Sequence, residues 1–209
     1  MAGRKSWETN ANAEVIGYTN SAAGDLLALV DGKNQVTKWN YDEYGRVTNK
    51  LDQAAVEILR YKYDQNSRLT NRWSIAKTNT YYQYDLVGNL TNIDYAVSTD
   101  VRFEYDALNR VTKMVDAAGT TIYSYAAGGQ LWTEDGPWSS DTVTNSYSNR
   151  LRTGLSLAQP TGSWTNSFGY DAAKRLTSVT SPAGTFTYTL GAAASASLLI
   201  KKLALDHVQ

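Results

Sequence analysis

Tyr41-Asp42-Glu43-Tyr44-Gly45-Arg46-Val47-Thr48, Tyr63-Asp64-Gln65-Asn66-Ser67-Arg68-Leu69-Thr70 and Tyr105-Asp106-Ala107-Leu108-Asn109-Arg110-Val111-Thr112 are one pattern written three times. Tyr84-Asp85-Leu86-Val87-Gly88-Asn89-Leu90-Thr91 and Tyr170-Asp171-Ala172-Ala173-Lys174-Arg175-Leu176-Thr177 repeat it with small changes. Looser copies start at Tyr18, Tyr125, Tyr147 and Tyr188, and successive tyrosines stand 23, 22, 21, 21, 20, 22, 23 and 18 residues apart. A fixed period in this range marks an array of identical supersecondary units. The chain therefore reads as one repeat domain over 18–190, with a lead-in at 1–17 and a non-repeat tail at 191–209.

Each unit reads as a β-hairpin. Two positions ahead of the nine tyrosines stand Ile16, Trp39, Tyr61, Tyr82, Phe103, Tyr123, Asn145, Phe168 and Phe186. That spacing puts each on the same sheet face as its tyrosine, and the residues between (Lys62, Gln83, Glu104, Ser124) are polar. The Asp then ends the strand, because its carboxylate accepts an N–H about two residues on. Gly45, Ser67, Gly88, Asn109, Gly129 or Lys174 follows at the position where a short hairpin loop needs positive φ. Lys174 suits that conformation poorly, so a distorted turn is expected there. Val47, Leu69, Leu90, Val111, Leu131 and Leu176 open the return strand, and the arginines beside them are expected to point to the other face.

The fold class is all-β. About two strands per repeat predict roughly 16 or 17 antiparallel strands, on the order of 80 Å of sheet width. A flat sheet this wide would leave its aromatic face wet. The sheet is expected to curl into a barrel or a spiral shell segment, with Tyr41, Tyr63, Tyr84, Tyr105 and Tyr170 and their neighbours Trp39, Tyr61, Tyr82, Phe103 and Phe168 buried inside. The tail from Gly191 to Gln209 breaks the pattern and reads as a helix, a truncated further repeat or vector-derived sequence.

Composition narrows the chemistry. Lys plus Arg and Asp plus Glu number 20 each, so there is no basic excess to hold nucleic acid. Cysteine is absent and the single histidine is His207, which removes thiolate and histidine metal sites and any His-dependent triad. No metal and no cofactor is expected. The longest apolar runs, Leu26 to Val30 and Leu198 to Ile200, are too short to span a bilayer as helices, and no signal peptide is visible.

The Tyr-Asp, Gly-Arg-Leu/Val-Thr pattern at this spacing closely resembles the YD-repeat, or Rhs (rearrangement hotspot), family, over roughly Tyr18 to Tyr188. The resemblance implies a long β-ribbon that spirals into a hollow shell. Bacterial Rhs proteins and insecticidal Tc toxin complexes use such a shell to encapsulate a toxic polypeptide, and the teneurins of animals carry a related shell outside the cell. By that resemblance this chain is a non-catalytic segment of a shell, secreted or at a cell surface, whose partners are a polypeptide cargo or adjacent repeats. Full shells have many more repeats. None of the prolines, Pro137, Pro160 and Pro182, follows an Asp as in the segment that ends the Rhs core.

Two other function classes compete. Trp73, Trp132, Trp138 and Trp164 fall outside the core register, and exposed aromatic faces stack on sugars. They are the candidate ligand-binding residues of a carbohydrate- or cell-surface-binding module. Trp132-Thr-Glu-Asp-Gly-Pro-Trp138 interrupts the repeat with two tryptophans and two carboxylates. A small carboxylate-dependent hydrolase would draw on Glu134, Asp135 or Asp141 there. The repeated Asp42, Asp64, Asp85, Asp106 and Asp171 read instead as turn caps, because identical residues at one register position serve the fold. Strand edges at both ends of the array predict self-association, most simply as a homodimer.

Overall fold

The computed structural model describes residues 4–190 and 200–206. All regular structure among them is β. The chain divides into two units, the first ending at Val101 and the second starting at Arg102.

The first unit is a meander of β1 (Trp7–Thr9), β2 (Val15–Asn20), β3 (Leu26–Val30), β4 (Val36–Tyr41) and β5 (Val47–Leu51). It continues through β6 (Glu57–Tyr63), β7 (Leu69–Ser74), β8 (Thr78–Tyr84) and β9 (Leu90–Tyr95). The second holds β10 (Val101–Tyr105), β11 (Val111–Val115), β12 (Thr120–Tyr125), β13 (Leu131–Asp135) and β14 (Val143–Ser148). After these come β15 (Leu151–Gln159), β16 (Gly162–Tyr170), β17 (Leu176–Ser181), β18 (Gly184–Leu190) and β19 (Ile200–Asp206). Within each unit every strand pairs antiparallel with its chain neighbour.

One register recurs in the hairpins. Tyr41 pairs with Val47 and Asn40 with Asn49, so Thr48 is the extra residue of a β-bulge. Tyr63 pairs with Leu69 and Tyr84 with Leu90, leaving Thr70 and Thr91 bulged in the same way. The Thr70 and Thr91 hydroxyls donate back across the hairpin to the carbonyls of Lys62 and Gln83, each at 3.2 Å. A bulge leaves one residue out of the ladder, and the Thr side chain restores a hydrogen bond there. In these two hairpins this is the physical role of the last residue of the motif.

That register moves the end copies. Asn20, not Tyr18, pairs with Leu26 across a bulge, so Asn20 holds the tyrosine place, 21 residues before Tyr41. At the other end Leu190, not Tyr188, holds it, 20 residues after Tyr170. The uneven spacings of 23 and 18 came from counting the nearest tyrosine. The turn at Lys174 is not distorted: Lys174 adopts φ 62°, and its N–H reaches the Asp171 carbonyl at 2.9 Å, as Ser67 does to Asp64 at 3.0 Å. The Asp turn holds the conformation against the side chain's own preference.

Three further expectations are corrected. Among the described residues there are 19 strands rather than 16 or 17, because the lead-in supplies β1 and the tail supplies β19. Over 200–206 the tail is a strand on β18, not a helix; residues 191–199 lie outside those described. The aromatic ladder is half-buried rather than buried, and no apolar side chain is fully buried among the described residues. The physical reason is that each unit is a single layer, so no second layer covers the ladder. The buried polar residues, Asn71, Ser74, Thr80, Thr121 and Asn145, lie within the sheet itself. Among the described residues no helix is long and apolar enough to cross a membrane.

Candidate functional site

The repeated side chains assemble into an inter-repeat staple along the Tyr-Asp edge. Asp64 Oδ1 accepts the Asn66 and Arg68 amides, both at 2.9 Å, and the Ser67 amide bonds the Asp64 carbonyl. The other carboxylate oxygen takes the Arg68 Nε at 2.7 Å. Asp42 with Arg46, Asp106 with Arg110 and Asp171 with Arg175 repeat that ion pair at the same distance. Asp85 has Asn89 in place of an arginine and accepts its side-chain amide at 2.9 Å.

The arginine then reaches forward. Arg46 lies 4.8 Å from the centre of the Tyr63 ring, Arg68 4.7 Å from that of Tyr84, and Arg110 4.2 Å from that of Tyr125. Arg46 Nη1 also donates to the Asp64 carbonyl and the Ser67 hydroxyl, at 3.2 and 3.1 Å. These arginines therefore do not point to the opposite face, as strand alternation suggests. They close the turn, ahead of the strand, and from there swing onto the next repeat's ring.

The tyrosine hydroxyl reaches backward. Tyr63 donates to the Val47 carbonyl at 2.9 Å, Tyr84 to Leu69 at 2.9 Å, and Tyr125 to Val111 at 2.7 Å. Tyr41 and Tyr147 do the same to Leu26 and Leu131. Each acceptor is the residue paired with the preceding repeat's tyrosine position. A half-buried phenol with a filled hydrogen bond and a cation on its ring is a strong local contact.

The electrostatics follow this geometry. Asp64 and Asp171 are held below the ordinary carboxylate range mainly by the Arg68 and Arg175 amides, with the guanidinium adding to each. For Asp106 the Arg110 guanidinium leads. Burial is the main cause that raises the phenols of Tyr41, Tyr63, Tyr82, Tyr84 and Tyr123. A cleft of about 360 Å³ opens at this edge, lined by Tyr44, Arg46, Tyr63, Asp64, Gln65 and Ser67. The Arg46 Nε and Nη1 donors there are engaged within the staple.

The tryptophan candidates do not share one setting. Trp73 is half-buried on β7, with the Arg60 guanidinium 5.5 Å from its ring centre. Trp132 is 52% exposed at the bulge position of β13, and Trp138 is 67% exposed in the following loop. Trp164 corrects the sequence reading. It lies on β16 at even spacing from Phe168 and Tyr170, hence on the aromatic face, where its Nε1 donates to Asn166 at 3.1 Å. The register signal reaches six residues ahead of Tyr170 because β15 and β16 are longer than the other strands.

The carboxylate candidates are used locally. Asp141 caps its loop, accepting the Gly136 amide at 3.1 Å and the Trp138 amide at 3.0 Å on its two oxygens. Asp135 accepts the Thr142 hydroxyl. Glu134 lies on β13 between Tyr123 and Val143 in the register. Among the described residues no group of three or more acidic or histidine side chains could hold a metal ion.

Comparison with known proteins finds a family match over part of the chain and a shared fold. The RHS Repeat family model matches residues 84–121. The crystal structure of TcdB2-TccC3 superposes with a TM-score of 0.62 at 15% identity, over 83% of this chain and 13% of that one. The Tc holotoxin pore of Photorhabdus luminescens gives 0.55 at 20%, over 87% of this chain and 10% of that one. This chain thus spans about a tenth of the length of those structures. No curated protein matches it.

Proposed function

We propose, from the premise that this chain is a run of RHS repeats, that it is a non-catalytic length of shell wall that encloses or displays another polypeptide. The observation that carries this reading is the single layer of each unit. The staples join repeat to repeat along one edge, yet the aromatic face stays half-buried, with no apolar residue fully covered among the described residues. A wall needs continuity in its plane and an inner surface left free for its contents. The TcdB2-TccC3 and Tc holotoxin pore structures contain regions of this fold, which supports the reading.

The test is protease protection of the whole reading frame that contains these repeats. Its non-repeat polypeptide should resist trypsin under native conditions and be digested once denaturant opens the shell. Digestion as fast as that of the free polypeptide overturns the reading. So does a whole product with no protected polypeptide.

Glycan binding is the second reading, favoured by the exposure of Trp132 and Trp138. A glycan array reads it directly. Binding that disappears in Trp132→Ala or Trp138→Ala establishes it, and an array without signal removes it.

A further inference from the structure

On its strands the aromatic face of the first unit carries only cations, Arg72 and Lys50, and of these Lys50 shares a cleft with the turn carboxylates Asp31 and Asp52. Arg72 on β7 pairs with Tyr61 on β6 and Thr80 on β8, so it stands among Tyr61, Tyr63, Tyr82 and Tyr84. Lys50 on β5 pairs with Trp39 and Leu59, which puts it on the same face, 5.7 Å from the Trp39 ring centre. The only carboxylates in β2 to β9 are Glu57 and Asp94. Glu57 pairs with Leu51 and bonds Asn49 and Arg60 on the opposite face. Asp94 stands across from Tyr81, also on that face.

Arg72 differs from the staple arginines in its partners. Arg46 and Arg68 each meet a carboxylate, whereas the Arg72 Nε is buried without a hydrogen-bond partner among the described residues. A buried donor without an acceptor is unfavourable, and a guanidinium fork matches a carboxylate with two parallel hydrogen bonds. The charge is felt nearby: burial raises the Tyr82 phenol, and Arg72 opposes that shift.

We propose that Arg72 is a recognition point for an acidic side chain of the polypeptide lying on this face, with Lys50 as a second, weaker one. This rests on the shell-wall reading and names the chemistry of what the wall touches. Two strand spacings and two residues along the strand separate the cations by roughly 12 Å. Side chains four residues apart on an extended segment are about 13 Å apart. The fitting partner is therefore an extended segment with acidic residues at every fourth position.

The experiment uses a capped extended peptide of a dozen residues, with glutamate at every fourth position among Ser and Val, and its glutamine counterpart. Binding to this chain is read by calorimetry. The glutamate peptide should bind at least tenfold tighter than the glutamine one. Arg72→Gln should erase that preference, Arg72→Lys should keep part of it, and Lys62→Gln should keep it whole. Lys62 lies one residue from Tyr61 on the opposite face, so its change alters net charge alike. Far-UV circular dichroism confirms that each variant folds, and the wild-type preference itself stands even if one does not. Equal affinity for the two peptides overturns acid recognition and leaves the wall reading in place. A preference lost equally in Lys62→Gln overturns it too, as an effect of net charge. No binding of either peptide removes both readings for this face.

Discussion

Both turn edges of the first unit use the same Asp-capped loop, and they build two different things with it. At the Tyr-Asp edge, Asp64 Oδ1 takes the amides two and four residues on. At the opposite edge Asp31 and Asp52 do the same, with Asn34 at φ 62° and Ala55 at φ 60° in the left-handed position. Even Asn10 caps the β1–β2 turn this way, with Ala13 at φ 60°. What differs is the residue that closes the loop. Arg46 and Arg68 close it on one edge, Gln35 and Val56 on the other. Asp alone turns the chain; Asp, Arg and the next Tyr together bind one repeat to the next.

The largest separation should come from the ring. Tyr84→Ala removes a half-buried aromatic, its bond to Leu69 and the platform for Arg68, and should cost about 2–3 kcal/mol in urea unfolding. Tyr81→Ala, 47% exposed on the other face, should cost under about 1 kcal/mol. Equal losses would show that the staple adds nothing to simple burial.

Acid should act on the Tyr-Asp edge in particular. Asp64, Asp106 and Asp171 have folded pKa values below their unfolded ones, so their stabilisation is complete above the unfolded value near 4 and fades as pH falls through the folded one. The thermal midpoint should drop between pH 5 and pH 2. The raised phenols work in the other direction, so stability present below about pH 10 should fade as pH rises through their folded values. A midpoint level from pH 7 to pH 2 would contradict the carboxylate assignment.

A matched pair of turn variants sharpens the comparison. Asp64→Ala loses two amide bonds and the Arg68 pair, whereas Asp52→Ala loses two amide bonds alone. The first should lower the urea midpoint further, and the order reversed would refute the staple. The smallest effect should be a gain. Lys174→Gly relieves a left-handed lysine and should stabilise by about 0.5–1 kcal/mol in the same assay.

How much of this was legible depended on whether a residue type announced its geometry. Tyrosine alternation gave the strands, and Asp followed by Gly or Asn gave the Tyr-Asp turns. The opposite-edge turns were opaque because Ala13 and Ala55 carry no left-handed signal, although both adopt it. The bulge was hidden because Thr suits any strand, and only pairing reveals that Thr48 and Thr70 stand outside the ladder. Arginine direction was misread because alternation applies within strands, and Arg46 precedes β5. At the ends, Tyr18 and Tyr188 drew the register two residues off because they are ladder aromatics in their own right. At the candidate site Trp132 is exposed at a bulge on β13 and Trp138 in the loop after it, Trp164 lies in the ladder register with 40% of its surface exposed, and nothing in composition singles out Arg72.

Because each strand in the two meanders pairs with the one made just before it, the ribbon has very low contact order and suits assembly during translation. A ribosome adding about 5–20 residues per second delivers a repeat every few seconds, while a hairpin closes in about 1–10 μs. Each new tyrosine thus emerges facing a finished hairpin whose carbonyl is already in place. Each nascent meander would lengthen one repeat at a time, like a zip fed from one end, and no stretch would wait for a distant partner before it could fold.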